Sequence, residues 1–422
     1  MNTINVHIDF GNSSFKIGEL FASADLGRHV FSYDPAFISS GLQISPFQIP
    51  LSNKTFIAQK NSAFYDLHGV FADSLPDAWG RRVQDAEFSK IDIIEPTALQ
   101  RLAFIGKCGI GALRYQPAQE FPKGDDVVRL AELRKATQKI LEGNVEEISN
   151  QLLRSGGSAG GARPKFLVDI KESDYQELRY TRGTYEDGYI PVILKVPNIG
   201  QGMDQYQRIE YTYSQIARDA GLNIPDTYLI TGEKSDLAFF AMKRFDILPD
   251  GTRLHVHTLS GILNIDYRET NPDASTFLRT IDDITRDQRQ VIEGYRRIVF
   301  NYVGSNKDDH AKNFSFVMNH KGEWSLSPAY DVGFSKGQND LHQMRLGNKF
   351  RNAEIRDFRS LARDFDITKW ESIIEQTLSA FEKWPSFAKS NNIHPKYIEL
   401  INNKIVENTR RIENGLFRGL SL

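Results

Sequence analysis

Cysteine is nearly absent: the 422-residue chain holds one, Cys108. That excludes an internal disulfide and any zinc site built on clustered thiolates. An excess of charge of one sign is missing too. Lys plus Arg number 52 and Asp plus Glu 54, a formal net charge of −2. Bulk attraction to nucleic acid or anionic membrane is therefore excluded, although a local basic face is not. No apolar run approaches the roughly 18 residues of a membrane span. The opening residues, Met1 to Asn12, lack the basic start and apolar stretch of a secretory signal. No repeat at a period of roughly 20 to 50 residues is visible. From these absences we expect a reducing, cytoplasmic setting. What is present is ordinary for a globular protein: 40% apolar and 25% charged residues, with length enough for two or three domains and a core that needs no staples.

The first 120 or so residues read as short strands and turns. Val6, Ile8 and Phe10 alternate, Gly11-Asn12-Ser13 reads as a turn, and Phe15-Lys16-Ile17 returns as the second arm of a hairpin. A short helix is expected around Trp79 to Val83, and Gly106 to Gly111 reads as a tight connection. Pro117 to Gly124 marks a boundary. Beyond it, Leu130, Leu133, Thr137, Ile140 and Leu141 recur at helical spacing, with Asp125 and Asp126 as cap candidates. Strands are expected at Phe166 to Ile170 and Val192 to Val196. Ile209, Tyr213, Ile216, Ala217 and Ala220 predict a helix stopped by a left-handed Gly221. Tyr228-Leu229-Ile230 and Ala238 to Met242 read as buried strands, and from about residue 255 the pattern is mainly helical. The fold class predicted is α+β: a β-rich subdomain at 1–120, a strand-bearing region with a glycine-rich loop at 121–250, and a helical lobe at 251–422, with a cleft between lobes.

The chemistry concentrates in Asn306-Lys307-Asp308-Asp309-His310-Ala311-Lys312-Asn313. The run follows a helix and precedes an alternating strand and a hairpin, after which Tyr330-Asp331-Val332-Gly333 appears. In protein kinases an Asp base stands five residues before a metal-binding Asn, and a second metal-binding Asp follows the next hairpin. Here Asp308 stands five residues before Asn313, and Asp331 follows the hairpin. Phosphoryl transfer relies on positioning and charge neutralisation, so the pattern assigns Asp308 to orient an attacking hydroxyl and Asn313 and Asp331 to hold Mg2+ against the phosphates of ATP.

Lys195, set in the apolar strand Ile193-Leu194-Lys195-Val196, reads as a phosphate-pairing lysine, because an ammonium among apolar residues needs an anion. Glu210 on the next helix is a candidate carboxylate. Ser155 to Gly161 is the most glycine-rich stretch. It matches neither the P-loop nor the dinucleotide fingerprint and reads either as a linker or as a loop wrapping phosphates with its backbone, with Arg163 and Lys165 behind it. Ser155 and Ser158 are candidates for phosphorylation there, which would hinder closure on a nucleotide. Met242 and Phe245 are candidates to flank an adenine ring. Asp9-Phe10-Gly11 and the pair His255 and His257 look like functional motifs but are expected to be structural.

Ser158-Ala159-Gly160-Gly161-Ala162-Arg163-Pro164-Lys165, Ile193-Leu194-Lys195, Met242 to Asp246, Asp308 to Asn313 and Tyr330-Asp331 together resemble the motifs of HipA-type serine/threonine kinases, the toxins of bacterial toxin–antitoxin pairs. Phe31 to Pro35 and Phe71 to Asp77 are similar to that family's N-terminal subdomain. The resemblance implies a two-lobed protein-kinase-like fold and an ATP- and Mg2+-dependent protein kinase. It implies Asp308 as catalytic base, Asn313 and Asp331 as metal ligands, and Lys165, Lys195 and Lys312 at the nucleotide. Gly160, Gly161 and Ala162 would form the phosphate loop, and Ser158 the inhibitory autophosphorylation site. It implies a helix-turn-helix antitoxin as partner, DNA contact mainly through that antitoxin, and a protein substrate such as an aminoacyl-tRNA synthetase. The alternatives are a small-molecule kinase of the actin or sugar-kinase type, using Asp9 to Asn12 with Lys16, and a catalytically dead protein- or DNA-binding scaffold.

Overall fold

The computed structural model describes residues 1–118, 127–143, 155, 163–181, 185–197, 205–232 and 237–418. The chain falls into two compact units. The first comprises Met1–Asp204, Tyr228–Asp266 and Val317–Glu323, and the second Gln205–Thr227, Tyr267–Phe316 and Trp324–Leu422.

The first unit carries two antiparallel sheets. One is built from β1 (Thr3–Asp9), β2 (Ser14–Ser23), β3 (Arg28–Tyr33), β4 (Thr55–Ile57) and β5 (Leu113–Gln116), in the order β4-β3-β2-β1-β5. The expected first hairpin is present. Phe10 N–H donates to the Ser13 carbonyl at 2.8 Å, and Gly11 turns with φ +87°, so Asp9-Phe10-Gly11 is the turn of a hairpin.

The other sheet holds β6 (Val127–Arg129), β7 (Lys165–Lys171), β8 (Asp174–Tyr180), β9 (Tyr189–Lys195), β10 (Thr227–Thr231) and β11 (Ala238–Lys243), in the order β10-β11-β9-β7-β8-β6. Strand side chains alternate between faces. Phe166, Val168 and Ile170 of β7 and Ile190, Val192 and Leu194 of β9 therefore point one way. They pack with Trp79 and Val83 of helix Ala78–Ser89 and with Leu130, Leu133 and Ile140 of helix Leu130–Glu142. Each such fully buried side chain is worth about 1.5–3 kcal/mol.

Three local expectations need amendment. The helix at Trp79 runs on to Ser89, because Val83, Ala86 and Phe88 continue its buried stripe. The helix beginning at Leu130 is capped by Arg129, while Asp125 and Asp126 lie outside the described residues. A helix, Ala98–Ile105, stands where strands and turns were expected. It starts at a reciprocal cap in which Thr97 accepts from Gln100 N–H and the Gln100 side chain accepts from Thr97 N–H, a Thr-x-x-Gln signal legible in the sequence.

The second unit is mainly helical. Helix Tyr206–Asp219 ends as predicted, with Gly221 at φ +79°. Its Tyr213 is fully buried and meets Phe300 of helix Gln288–Val303, Phe381 of helix Trp370–Glu382 and Trp384. The Tyr213 hydroxyl donates to the Gly304 carbonyl at 2.7 Å. That bond ties the aromatic core to the end of the helix preceding residues 306–313. Two short strands, Ser315–Met318 and Trp324–Leu326, follow that segment. Among the described residues, no helix is long and apolar enough to cross a membrane.

Candidate functional site

Helix Gln288–Val303 stops at Gly304, and Ser305 reverses the chain at φ +50°. Asn408 Nδ2 holds this reversal by donating to the Tyr302 and Val303 carbonyls and to Ser305 Oγ. The chain then runs on as an irregular, mostly buried segment in which Asp308 is exposed. Asn306 N–H donates to the Asn301 carbonyl at 2.9 Å, Ala311 N–H to Asn271 Oδ1 at 2.8 Å, and Asn313 N–H to the His310 carbonyl at 2.9 Å. The Tyr330 hydroxyl donates to the Lys312 carbonyl at 2.9 Å, which joins the segment to the one bearing Asp331.

These ties bring Asp308, Asn313 and Asp331 to the wall of one cavity of about 20 Å3, with Asn301, Asn306 and Asp309 also lining it. That is room for one water- or ion-sized occupant. Asn313 Nδ2 donates to the Asp308 carbonyl at 2.8 Å, which commits the amide nitrogen and leaves Oδ1, the atom a hard cation takes. Asp331 sits at φ +51°, a left-handed turn that an aspartate tolerates better than most residues. The Asp308 side chain is 59% exposed, with His310 Nε2 3.7 Å from its Oδ1. The donor set, two carboxylates and one carboxamide oxygen, suits Mg2+, which prefers oxygen ligands and keeps several waters. Among the described residues there is no group of three or more His, Cys, Asp or Glu able to hold a metal.

Sequence reading missed the residues that support this segment. Asp309 is 3% exposed and accepts from His342 Nδ1 at 2.8 Å, from Gln343 N–H at 2.7 Å and from Met344 N–H at 3.3 Å. His342 in turn stacks on Tyr302, with ring centroids 3.9 Å apart. Asn271 spends its Nδ2 on the Tyr267 carbonyl and Gln343 Oε1 while its Oδ1 receives Ala311. Lys312 lies over the Tyr267 ring at 5.7 Å. Glu210 is buried and adjoins Gly333, where a Cβ would stand 4.0 Å from it.

In the first unit, Lys165 and Lys195 are directly opposite one another on β7 and β9, and both are buried. By alternation they point away from the face that the two helices cover. Phe240 pairs with Lys195 and Met242 with Ile193, so Lys165, Lys195, Phe240 and Met242 share that face. The Lys195 ammonium lies 5.6 Å from the Phe240 ring centroid. Like charges directly across a sheet repel unless opposite charge meets them. Phe245 is half-buried just beyond β11.

Between Met242 and Phe245 the fold is fixed by a buried ion pair that the sequence did not disclose. Arg244 Nε and Nη2 donate to Asp246 Oδ1 and Oδ2 at 3.0 and 2.6 Å, and Arg253 lies 3.8 Å from the same carboxylate. Asp246 also accepts from Gly111 N–H at 2.7 Å, while Arg244 and Arg253 donate to the Gly109 carbonyl. Burial works against charge on both members. The mutual attraction outweighs it, holding the Asp246 carboxyl below and the Arg244 guanidinium above their ordinary values. The glycine-dense connection at 106–111 is thus clamped from residues about 135 positions away.

His257 donates or accepts at both ring nitrogens, with Asp73 Oδ2 at 2.6 Å and Ser45 Oγ at 3.0 Å, and His255 Nε2 bonds the Ile44 carbonyl at 2.9 Å. The Ser45, His257 and Asp73 chain mimics a hydrolase triad, but Ser45 and His257 are fully buried, so no substrate reaches it and its work is structural. Ser155, a candidate for phosphorylation from the sequence, is also buried. Ser158, Gly160, Gly161 and Ala162 lie outside the described residues.

The architecture is that of an α+β protein with a kinase-like fold. A family model described as the HipA-like C-terminal domain matches residues 157–384, and one described as the HipA N-terminal domain matches residues 12–116. The chain belongs to the HipA family. It is similar in fold to the HipA of Shewanella oneidensis MR-1, solved with HipB and its operator DNA, at a TM-score of 0.71 and 14% identity over 99% of both chains. A kinase-named protein of Haemophilus influenzae is 26% identical over 196 residues, 42% of this chain and 52% of that protein. Another, from Sinorhizobium fredii, is 28% identical over 156 residues, 33% of this chain and 36% of that one. The chain spans about half the length, or less, of these curated relatives.

Proposed function

We propose that the chain is an ATP- and Mg2+-dependent protein serine/threonine kinase and the toxin of a toxin–antitoxin pair. The observation that carries this reading is the convergence of Asp308, Asn313 and Asp331 on one cavity. The reaction forms a bond from a serine or threonine oxygen to the γ-phosphorus of ATP and breaks the bond to the β–γ bridging oxygen, so that ADP leaves. Asp308 orients the hydroxyl and accepts its proton, a role worth on the order of 10²–10⁴-fold in rate. Asn313 Oδ1 and the Asp331 carboxylate would hold the metal. Bound Mg2+ supplies neutralisation of the phosphate oxygens. Lys165 and Lys195 take the phosphates, Met242 and Phe245 flank the adenine, and Lys312 with the backbone of Gly160, Gly161 and Ala162 completes the nucleotide contacts. Ser158 is the regulatory autophosphorylation site.

In this reading the protein works in the cytoplasm, restrained by a helix-turn-helix antitoxin that makes most of the DNA contact, and it modifies a protein such as an aminoacyl-tRNA synthetase. Support for the partner comes from the Shewanella relative, which was solved with HipB and DNA, and from the near-neutral charge of this chain. In the same reading the chain divides into 1–120, 121–250 and 251–422; the two family models, matching 12–116 and 157–384, support only the first of these boundaries.

The test is transfer of label from γ-labelled ATP. Asp308→Asn is expected to lower incorporation by about 10²-fold or more with the melting temperature unchanged, and mass spectrometry of the active protein should find phosphate on Ser158. Undiminished incorporation in Asp308→Asn would overturn the mechanism, and an active chain phosphorylated only elsewhere would remove the Ser158 switch.

A further inference from the structure

Away from these residues, the first unit holds a second polar recess. It is lined by Gln48, Phe56, Ile57, Gln59, His68 and Asn264 and has a volume of about 70 Å3. Its back wall exists because helices Gly69–Ala72 and Leu259–Leu263 cross at two glycines: a Cβ on Gly69 would stand 2.2 Å from the Gly261 carbonyl oxygen. His68 is 7% exposed, and neither of its ring nitrogens has a hydrogen-bond partner among the described residues. A buried imidazole in that state carries one donor and one acceptor that cost about 1–3 kcal/mol each until they are met. Burial holds its pKa down to about 4, with His29 adding to the effect, so the ring is neutral near pH 7.

The other polar groups of the recess are uncharged as well. Gln48 Nε2 donates to the Ile262 carbonyl at 3.2 Å, and Asn264 Nδ2 donates to Gln59 Oε1 at 3.0 Å. Each carboxamide keeps one terminus for another partner: an oxygen on Gln48 and Asn264, an N–H2 on Gln59. A carboxylate would find no cation here and an ammonium no anion. A carboxamide, which offers a donor and an acceptor in one plane, matches the set.

Beside the recess, β4 is the edge of its sheet. Ala58 N–H donates to the His29 carbonyl, and Phe56 pairs with Phe31. By the alternation of antiparallel bonds, the N–H and C=O groups of Thr55 and Ile57 point away from β3, and Ile57 is 50% exposed. That is a template for one more strand.

We propose that an extended peptide segment of a partner protein docks here, adding to the β4 edge through Thr55 and Ile57 and placing an uncharged Gln or Asn side chain against His68, Gln48, Gln59 and Asn264. The probes are the blocked peptide acetyl-Thr-Val-Gln-Val-Thr-amide and its analogues with Leu or Glu at the centre. Each is titrated into the full chain by calorimetry and followed by the 15N signals of the labelled histidine rings. The Gln peptide should bind saturably and move the His68 ring signals, and the Leu and Glu analogues should bind at least tenfold more weakly. Two variants guard against misfolding: Gln59→Ala alters an exposed side chain, and Ile57→Pro removes an N–H that no ladder uses. Each should weaken the Gln peptide tenfold or more with an unchanged melting temperature. No saturable binding, equal binding of the three peptides, or full binding by Ile57→Pro would overturn the proposal. None of these readouts depends on phosphate transfer.

Discussion

Replacing Asp246 with Asn removes the negative charge on which Arg244 and Arg253 converge. The Arg244 side chain is 0% exposed and makes bonds of 3.0 and 2.6 Å to that carboxylate, and Arg253, 2% exposed, lies at 3.8 Å. Water cannot reach either guanidinium to take the place of the lost partner. Removing one partner of a buried pair typically costs about 3–5 kcal/mol, and the bond from Gly111 N–H weakens as well because its acceptor loses charge. For a unit of about 250 residues, that loss corresponds to a fall of about 6–20 °C in melting temperature. Replacing both partners tells a different story. Arg244→Met with Asp246→Leu removes Arg244 together with its counter-charge, leaving Arg253 and the Gly111 N–H to lose that acceptor, and should cost about 1 kcal/mol or more less than the single variant. Equilibrium urea unfolding reads the stabilities, and amide exchange of the 106–116 peptide reads the clamp directly, since Gly111 N–H is one of its bonds. Because Arg244 stands between Met242 and Phe245, the single variant should also weaken ATP binding more than the double variant does. An Asp246→Asn protein less than about 1 kcal/mol below wild type, or a double variant as unstable as the single one, would refute the reasoning.

Burial pushes His255 down to about 4, as it does His68. The unfolded chain takes up a proton at each below pH 6.5, and the folded chain refuses both until about pH 4. At roughly 1.4 kcal/mol per pH unit, each histidine costs about 3 kcal/mol of stability across that window, all of it present above pH 6.5 and lost on acidification. A flat urea midpoint between pH 6.5 and 5 would contradict this. Gly69→Ala would drive a methyl into the Gly261 carbonyl at 2.2 Å, so the helices must part at a cost of about 1–3 kcal/mol; a thermal melt equal to wild type would show that the crossing is loose. Asp309→Asn turns an acceptor of three bonds partly into a donor, at a cost of about 1–3 kcal/mol. Limited proteolysis should then cut within residues 334–354 faster than in wild type, and label transfer from ATP should fall with it; unchanged cleavage would show that Asp309 does not hold that segment.

The sequence by itself determined whatever depends on neighbours along the chain. Apolar runs marked the strands that become β7 and β9, the left-handed glycine stopped the helix at Asp219, and the order of Asp308, Asn313 and Asp331 announced three oxygen donors on loops around one hairpin. Each signal works through local geometry, because a strand turns over every second residue and a loop joins what lies on either side of it. Only the tertiary structure decided the partners of buried polar groups. Nothing around Arg244 and Asp246 in the chain points to Gly109 and Gly111, nor does anything near Asp309 point to His342 or near His257 to Ser45 and Asp73. A buried charge or imidazole must be met by some group, but any acceptor the fold delivers will serve, so residue type fixes the need and topology chooses the partner. The recess at His68 is the same lesson with the need left open: its polarity is written in single residues far apart, and only the crossing of two glycine-bearing helices beside a sheet edge made it one place.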